Sequence, residues 1–97
     1  MTHLGRYIAY LRRNSREKLS ARQLAQRVGC SNTYIGQVEK GRQLPSIELT
    51  WDIVSKLGGN GRYAVVALLV DHGIPESEVT PMCPEWGAIE AAVNSFL

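Results

Sequence analysis

The chain has few of the features that mark secreted or membrane-spanning proteins. Its only two cysteines, Cys30 and Cys83, lie far apart and form no closely spaced pair, so we expect reduced thiols in the cytosol. The longest uninterrupted apolar run, from Ala64 to Val70, is seven residues, whereas a membrane-spanning helix needs about 20. The sequence therefore favours a cytoplasmic protein that crosses no membrane.

Residues with metal-binding or catalytic chemistry are equally sparse. His3, Cys30, His72 and Cys83 could each bind a metal, but they lack the close ligand pairs that structural zinc sites show. No histidine lies near a candidate nucleophile in a recognisable motif. We therefore expect no metal, no cofactor and no enzymatic activity.

The length of 97 residues and the hydrophobic content of 44% are sufficient for one domain with a small core. A core of this size gains stability from a partner subunit.

The net charge of +2 conceals a strong asymmetry along the chain. Up to Arg42 there are nine basic and two acidic side chains, a net charge of +7, and the remainder carries −5. A basic half next to an acidic half is typical of a protein that binds a polyanion on one side. The alternative is an ordinary solvated surface with no partner.

Residues 20–46 contain the most specific pattern, two short helices joined by a tight turn. Ser20 and Gln23 have the spacing of a capping box, which predicts a helix from Ala21. Gly29 ends this helix, at a position where we expect two helices to cross closely. A second helix is predicted from about Ser31, with Ile35 and Val38 pointing inward and polar residues on the opposite face.

That polar face suits the base edges of the DNA major groove, because amides and hydroxyls can hydrogen-bond to them. The predicted base-contacting residues are Asn32, Thr33, Gly36 and Gln37. Helix N-termini and nearby cations suit the DNA phosphates. The predicted phosphate-contacting residues are Ala21, Arg22, Gln23, Ser31, Tyr34, Lys40, Arg42 and Gln43.

Apolar periodicity predicts a helix on each side of this motif. Leu4, Ile8 and Leu11 indicate a first helix from about His3 to Arg13. Ser46 is the predicted N-cap of a fourth helix. The residues expected to line its buried side are Ile47, Trp51, Val54 and Leu57.

The C-terminal part contains an apolar segment, a segment punctuated by prolines and a last amphipathic segment. Residues 62–72 are apolar almost all round, which favours a buried fifth helix, with a buried strand as the alternative. Residues 74–84 are predicted as a loop, and Pro84 as the first residue of a sixth helix. An apolar stripe on that helix is the predicted dimer interface: Trp86, Ile89, Val93 and Phe96. The alternative is that the stripe extends the core of the monomer.

The chain resembles the XRE-type helix-turn-helix family, which includes the phage Cro and CI repressors. The residues that carry the resemblance are Gln23-Leu24-Ala25, Val28-Gly29, Ser31, Tyr34-Ile35, Val38-Glu39, Gly41 and Pro45-Ser46. Residues 59–97 lie outside the resemblance, and their apolar helices predict an extra C-terminal helix and a dimerising extension. The resemblance itself implies an all-α, lambda-repressor-like bundle of four to five helices and places the DNA-binding domain at residues 1–58. It also implies a structural ion pair between Arg12 and Glu39, although Arg12 could instead face a phosphate.

These observations predict a sequence-specific transcriptional regulator of bacterial or phage origin. We expect a repressor that binds double-stranded DNA as a homodimer on a palindromic operator. The alternative is an antitoxin that binds its operator and uses the C-terminal helices to bind a partner toxin.

Overall fold

The computed structural model describes residues 2–96, which form seven α-helices and one 3-10 turn and contain no β-strand. The elements are α1 (His3–Asn14), α2 (Ala21–Val28), α3 (Asn32–Glu39), α4 (Ile47–Lys56), α5 (Gly61–Asp71), α6 (Glu76–Val79), the 3-10 turn (Thr80–Met82) and α7 (Trp86–Phe96). The prediction of an all-α bundle is therefore confirmed.

The first five helices begin where a short polar side chain can cap them. Thr2, Ser20, Ser31, Ser46 and Asn60 each accept a hydrogen bond from the backbone N–H three residues later. Such caps satisfy N–H groups that have no partner inside the helix. Because residues 61–71 are helical, the alternative of a buried strand in this segment is wrong.

One hydrophobic core runs through the described chain. It contains fully buried side chains from α1 to α5, among them Ile8, Leu24, Ile35, Ile53 and Tyr63. Val93 of α7 belongs to the same core and is 1% exposed. Residues 59–96, predicted as a C-terminal extension, therefore share this core with the residues before them.

The buried side of α4 differs from the prediction. Ile47 is 55% exposed and Trp51 is 51% exposed, whereas Thr50, Ile53 and Val54 are fully buried. The helix is rotated so that a threonine takes an inward position, and its Oγ1 has no hydrogen-bond partner within residues 2–96. A buried hydroxyl is hidden from a search for apolar periodicity, which explains the error.

The segment predicted as a loop between residues 74 and 84 contains α6 and the 3-10 turn. The two short elements fold the chain back so that Val79 and Cys83 are buried in the core. The last helix then begins at Trp86, two residues later than predicted, and the Trp86 N–H donates to the Cys83 carbonyl oxygen at 3.0 Å.

The apolar stripe of α7, which was predicted to be a dimer interface, packs in part on its own chain. The residues concerned are Trp86, Ile89, Val93 and Phe96. The Trp86 ring lies 4.8 Å from the Tyr63 ring, and the Phe96 ring meets the Tyr10 ring edge-on at 5.4 Å between centroids. Ile89 also packs against the core. Val93 is buried in the monomer core, whereas Trp86, Ile89 and Phe96 are half-buried and keep part of their apolar surface accessible.

A polar cluster fixes α7 against α1 and α5. The hydroxyl of Tyr63 donates to the Glu90 carboxylate, whose Oε2 also lies 3.6 Å from Nη2 of Arg6. Nη1 of Arg6 donates to Asn94 at 3.1 Å. Burial, and then the hydrogen bond to Glu90, raise the pKa of Tyr63 above its ordinary value.

The close helix crossing lies at Gly5 and not at Gly29. A Cβ atom on Gly29 would have no neighbour within 4 Å, and this glycine is needed because its φ is +74°. A Cβ atom on Gly5 would lie 2.6 Å from the carbonyl oxygens of both Val38 and Glu39. The backbone of α1 therefore touches the last turn of α3.

Candidate nucleic-acid interface

The turn between α2 and α3 is built from caps that the sequence encodes locally. Ser20 and Gln23 form both bonds of a capping box: the Ser20 N–H donates to Gln23 Oε1 at 2.9 Å, and the Gln23 N–H donates to Ser20 Oγ at 3.1 Å. Gly29 adopts the left-handed conformation at the end of α2. Ser31 then caps α3 by accepting the Tyr34 N–H at 3.0 Å.

The outer side of α3 carries the residues predicted to contact bases. Ile35 and Val38 point into the core and are almost fully buried. The residues on the outer side are Asn32, Thr33, Gly36 and Gln37; the first two are exposed and the last two are half-exposed. The structure thus brings these four positions together on one accessible helix face.

Gly36 lies in the middle of this face without any internal reason for a glycine. A Cβ atom there would meet nothing within 4 Å. A glycine inside a helix costs about 0.5–1 kcal/mol relative to alanine. What the glycine provides is an open strip of backbone, which another molecule can approach closely.

Backbone hydrogen bonds at the C-terminal end of α3 fix the position of the basic residues that follow the helix. Gly41 adopts a φ of +79°, and its N–H donates to the Val38 carbonyl oxygen at 3.1 Å. The Arg42 N–H donates to the Gln37 carbonyl oxygen at 2.9 Å. This bond pattern is a Schellman motif, and it fixes the backbone of Arg42 relative to Gln37.

The residues predicted to contact phosphates differ in how available they are. The exposed members are Arg22, Gln23, Ser31, Lys40, Arg42 and Gln43. Ala21 is half-buried, and Tyr34 is half-buried against the core. The side-chain oxygen of Gln23 accepts a backbone bond in the capping box, which leaves its amide NH₂ as the outward donor.

The unpaired positive charge is concentrated around these helices. Four cations make ion pairs with acidic side chains: Arg6, Arg12, Arg27 and Lys56. Among residues 2–96, every other Lys or Arg except Arg62 lies between positions 13 and 42. Ion pairing within the chain therefore leaves most of the free positive charge in the half that contains α2 and α3.

Arg12 and Glu39 form a two-bond ion pair behind the outer face. Nε of Arg12 donates to Oε2 of Glu39 at 2.8 Å, and Nη2 donates to Oε1 at 2.9 Å. Nη1 donates to the Leu19 carbonyl oxygen at 3.2 Å. The side chains are only 16% and 12% exposed, and the hydrogen bonds to Glu39 raise the pKa of Arg12. Because its charge is paired with Glu39 and its guanidinium also bonds the Leu19 carbonyl, Arg12 holds the end of α3 in place instead of pointing outward as a phosphate contact.

Other kinds of site receive little support from the part of the chain that the structure describes. No group of three His, Cys, Asp or Glu side chains among residues 2–96 is placed to hold a metal ion. Cys30 and Cys83 are both free thiols, and burial raises the pKa of each. None of the described helices is long and apolar enough to cross a membrane.

A family model described as a helix-turn-helix domain matches residues 3–72. The chain belongs to this helix-turn-helix family. In this helix-turn-helix protein, the match covers α1 to α5, so it reaches beyond the boundary that the sequence predicted at residue 58. The expected resemblance to XRE-type proteins is confirmed.

Two curated relatives of this helix-turn-helix protein come from Mycobacterium tuberculosis, one from strain CDC 1551/Oshkosh and one from strain ATCC 25618/H37Rv. Each is named an uncharacterized HTH-type transcriptional regulator and is 40% identical over 62 residues. The aligned segment covers 64% of this chain but only 41% of each relative. No solved structure matches the chain.

Proposed function

We propose that this protein is a sequence-specific DNA-binding transcriptional regulator, which represses by occupying an operator. The observation that carries the proposal is the outer face of α3, where exposed amide and hydroxyl side chains flank a glycine that no internal packing requires. Side chains of this kind can discriminate base edges in the major groove. The names of the two relatives agree with this function.

In the proposed complex, α3 lies in the major groove and the surrounding cations contact the backbone. Lys40 and Arg42 follow the C-terminal end of α3, and Arg22 lies in the first turn of α2. Contacts of this kind position the protein on the duplex, while the side chains on α3 select the sequence. A homodimer would place two copies of α3 about 34–36 Å apart, on the two halves of a palindrome.

The first test is nuclease footprinting of the purified protein on the region upstream of its own coding sequence. Small regulators of this type would protect a short palindromic segment there. The affinity for that segment is then compared with the affinity for a scrambled duplex by fluorescence anisotropy. Equal affinity for the two duplexes would contradict sequence-specific binding.

The base contacts are tested with Gln37→Ala and Thr33→Ala. Each replacement is expected to weaken binding to the protected segment by about 1–3 kcal/mol. Binding to the scrambled duplex should hardly change, because the phosphate contacts remain. Equal losses on both duplexes would show that the two residues contact phosphates or support the fold.

The phosphate contacts are tested with Lys40→Gln and Arg42→Gln. For each DNA phosphate that the variant no longer neutralises, the slope of log K against log salt concentration should become shallower by about 0.9 on any duplex. Lys56→Gln is the matched control, because it removes the same charge from an exposed position on α4. An unchanged slope together with a loss of sequence preference would show that Lys40 and Arg42 contact bases and not phosphates.

An antitoxin has less support than a regulator. That alternative needs a free apolar stripe on the C-terminal helices for a partner toxin, and part of the α7 stripe packs instead on Tyr10, Tyr63 and the rest of the core.

A further inference from the structure

A cavity of about 220 Å³ lies between the connection from α1 to α2 and the C-terminal end of α4. The nearly buried side chains of Leu19 and Leu57 form part of its wall. Three cations from different segments also line it, and we call them the cavity cations: Arg16, Arg27 and Lys56. The cavity uses none of the residues that we assign to DNA.

The charges around the cavity are unequal. Glu17 is the acidic side chain among the residues that line it, and it pairs with Arg27. Lys56 pairs with Asp52 on its own helix at 2.6 Å. Arg16 is exposed and makes no ion pair within residues 2–96. A positive charge therefore remains that an anion in the cavity would neutralise.

The helix dipoles explain two of the cavity cations but not the third. Arg27 and Lys56 lie in the last turns of α2 and α4, where a cation interacts favourably with the helix dipole. Arg16 lies outside the helices, in the connection between α1 and α2. Its place beside the other two cations is therefore not explained by helix stability.

The size and the walls of the cavity define the ligand that suits it. Sites for drug-sized ligands have volumes of about 300–1,000 Å³, so this cavity suits a smaller molecule. Glu17 already places a carboxylate on Arg27, which shows that a carboxylate fits this cation. We infer that the cavity binds a small organic carboxylate, with its charged group among the cavity cations and its hydrocarbon part on Leu19 and Leu57.

Glu17 would compete with such a ligand for Arg27. Its carboxylate accepts hydrogen bonds from both terminal nitrogens of Arg27. Both side chains are exposed, and an exposed ion pair opens at little cost. A ligand carboxylate could replace Glu17 on Arg27 and would gain Arg16 as a second cation. Neutralising Glu17 and neutralising Arg16 should therefore have opposite effects on ligand binding.

The wall of the cavity is connected to α3 through Arg12. Nη1 of Arg12 donates to the Leu19 carbonyl oxygen at 3.2 Å, while Nε and Nη2 donate to the Glu39 carboxylate. A ligand that shifts the backbone of Leu19 would also shift the end of α3 and change the affinity for DNA. This last step rests on the proposed function, whereas binding of the carboxylate does not.

The first experiment titrates the isotope-labelled full chain with sodium hexanoate and follows the backbone amide shifts by NMR. We expect saturable shifts in residues 15–19 and 56–58, with a Kd of about 1–10 mM, which a ligand of this size can reach. Hexan-1-ol has the same hydrocarbon chain without the charge and should bind at least about tenfold more weakly. No saturable shift in these two segments, or equal binding of the alcohol, would overturn the inference.

The second experiment repeats the titration on variants that circular dichroism shows to be folded. Arg16→Gln should weaken hexanoate binding at least about fivefold, because it removes a cavity cation. Arg62→Gln is the matched control, because Arg62 is also exposed and without an ion pair in residues 2–96 but lies outside the cavity. Glu17→Gln should strengthen binding, since it frees Arg27. Equal effects of the two arginine variants, or weaker binding by Glu17→Gln, would overturn the inference.

Binding to DNA separates a failure of this inference from a failure of the proposed function. Saturating hexanoate should change the affinity for the footprinted segment by about fivefold or more, relative to sodium chloride at the same concentration. The change should be lost in Arg16→Gln. A chain that binds hexanoate in the cavity but binds no DNA would contradict only the proposed function. An affinity for DNA that hexanoate leaves unchanged would contradict only the connection through Arg12.

Discussion

The carboxylate of Asp71, at the end of α5, caps the start of α1 by accepting the N–H of Leu4 at 3.0 Å through Oδ2. Its other oxygen accepts the N–H of His3 at 2.9 Å. A residue 67 positions away thus satisfies two backbone donors that the helix itself leaves unpaired. Its negative charge also lies at the positive end of the helix dipole.

Asp71→Asn is therefore expected to destabilise the protein by about 1–3 kcal/mol in urea unfolding. The amide retains only one good acceptor, and its NH₂ group would face a backbone N–H. Glu76→Gln is the control, since the exposed Glu76 carboxylate lies 3.3 Å from Nε2 of the His3 ring and bonds no backbone N–H of α1. Similar small losses in both variants would show that the cap contributes little.

Gly5→Ala should also destabilise the fold, by about 1–3 kcal/mol. The added methyl group would collide with the backbone of Val38 and Glu39, so α1 must move away from the last turn of α3. Gly87→Ala is the matched control, because a Cβ atom in that position of α7 meets nothing within 4 Å. Thermal unfolding of both variants would measure the difference, and equal midpoints would disprove the close contact.

Gly36→Ala should have opposite effects on stability and on binding. The fold should gain about 0.5–1 kcal/mol, since alanine favours a helix and has room there. Specific DNA binding should weaken if the backbone approaches a base edge, which anisotropy on the footprinted segment measures. Unchanged specific affinity would show that the DNA does not come close to the α3 backbone at this position.

The stability of the protein should fall above pH 10. The pKa of Tyr63 is raised above 10.0 in the folded state, so the folded chain keeps this proton while the unfolded chain loses it. The contribution of the protonated Tyr63 to the free energy of unfolding is therefore complete below pH 10. It decreases above pH 10 by up to about 1.4 kcal/mol per pH unit. Tyr63→Phe should show a shallower decline in urea unfolding between pH 9 and 11. Some decline should remain, because burial also raises the pKa of Tyr7.

The helix starts could be predicted because their determinants are close in sequence. Ser20, Ser31 and Ser46 cap the helices that follow them, each through a bond to a residue three positions away. The contacts of Gly5 and Asp71 could not be predicted in this way. Their partners lie far along the chain, and no local pattern distinguishes these residues from others of their type.

The patterns of α4 and α7 show a second limit of predicting the structure from the sequence. In α4, the spacing of apolar residues could not decide whether Ile47 or Thr50 points inward. The polar hydroxyl of Thr50 favoured Ile47, yet Thr50 is the residue that is buried. In α7, the apolar stripe was recognised, but its partner was not. A stripe reveals that a helix face needs covering and does not reveal which chain covers it.

Ion pairing leaves most of the free positive charge of the described residues between positions 13 and 42, and this uneven surface charge gives the folded molecule an electric dipole. Its net charge is only +2, so the overall pull of a distant polyanion is weak. The small net charge does not reduce the torque that a polyanion exerts on the dipole. This torque turns the part of the protein with the free cations towards the polyanion. Collisions would then begin with the correct side forward, and salt would slow association mainly by removing this alignment.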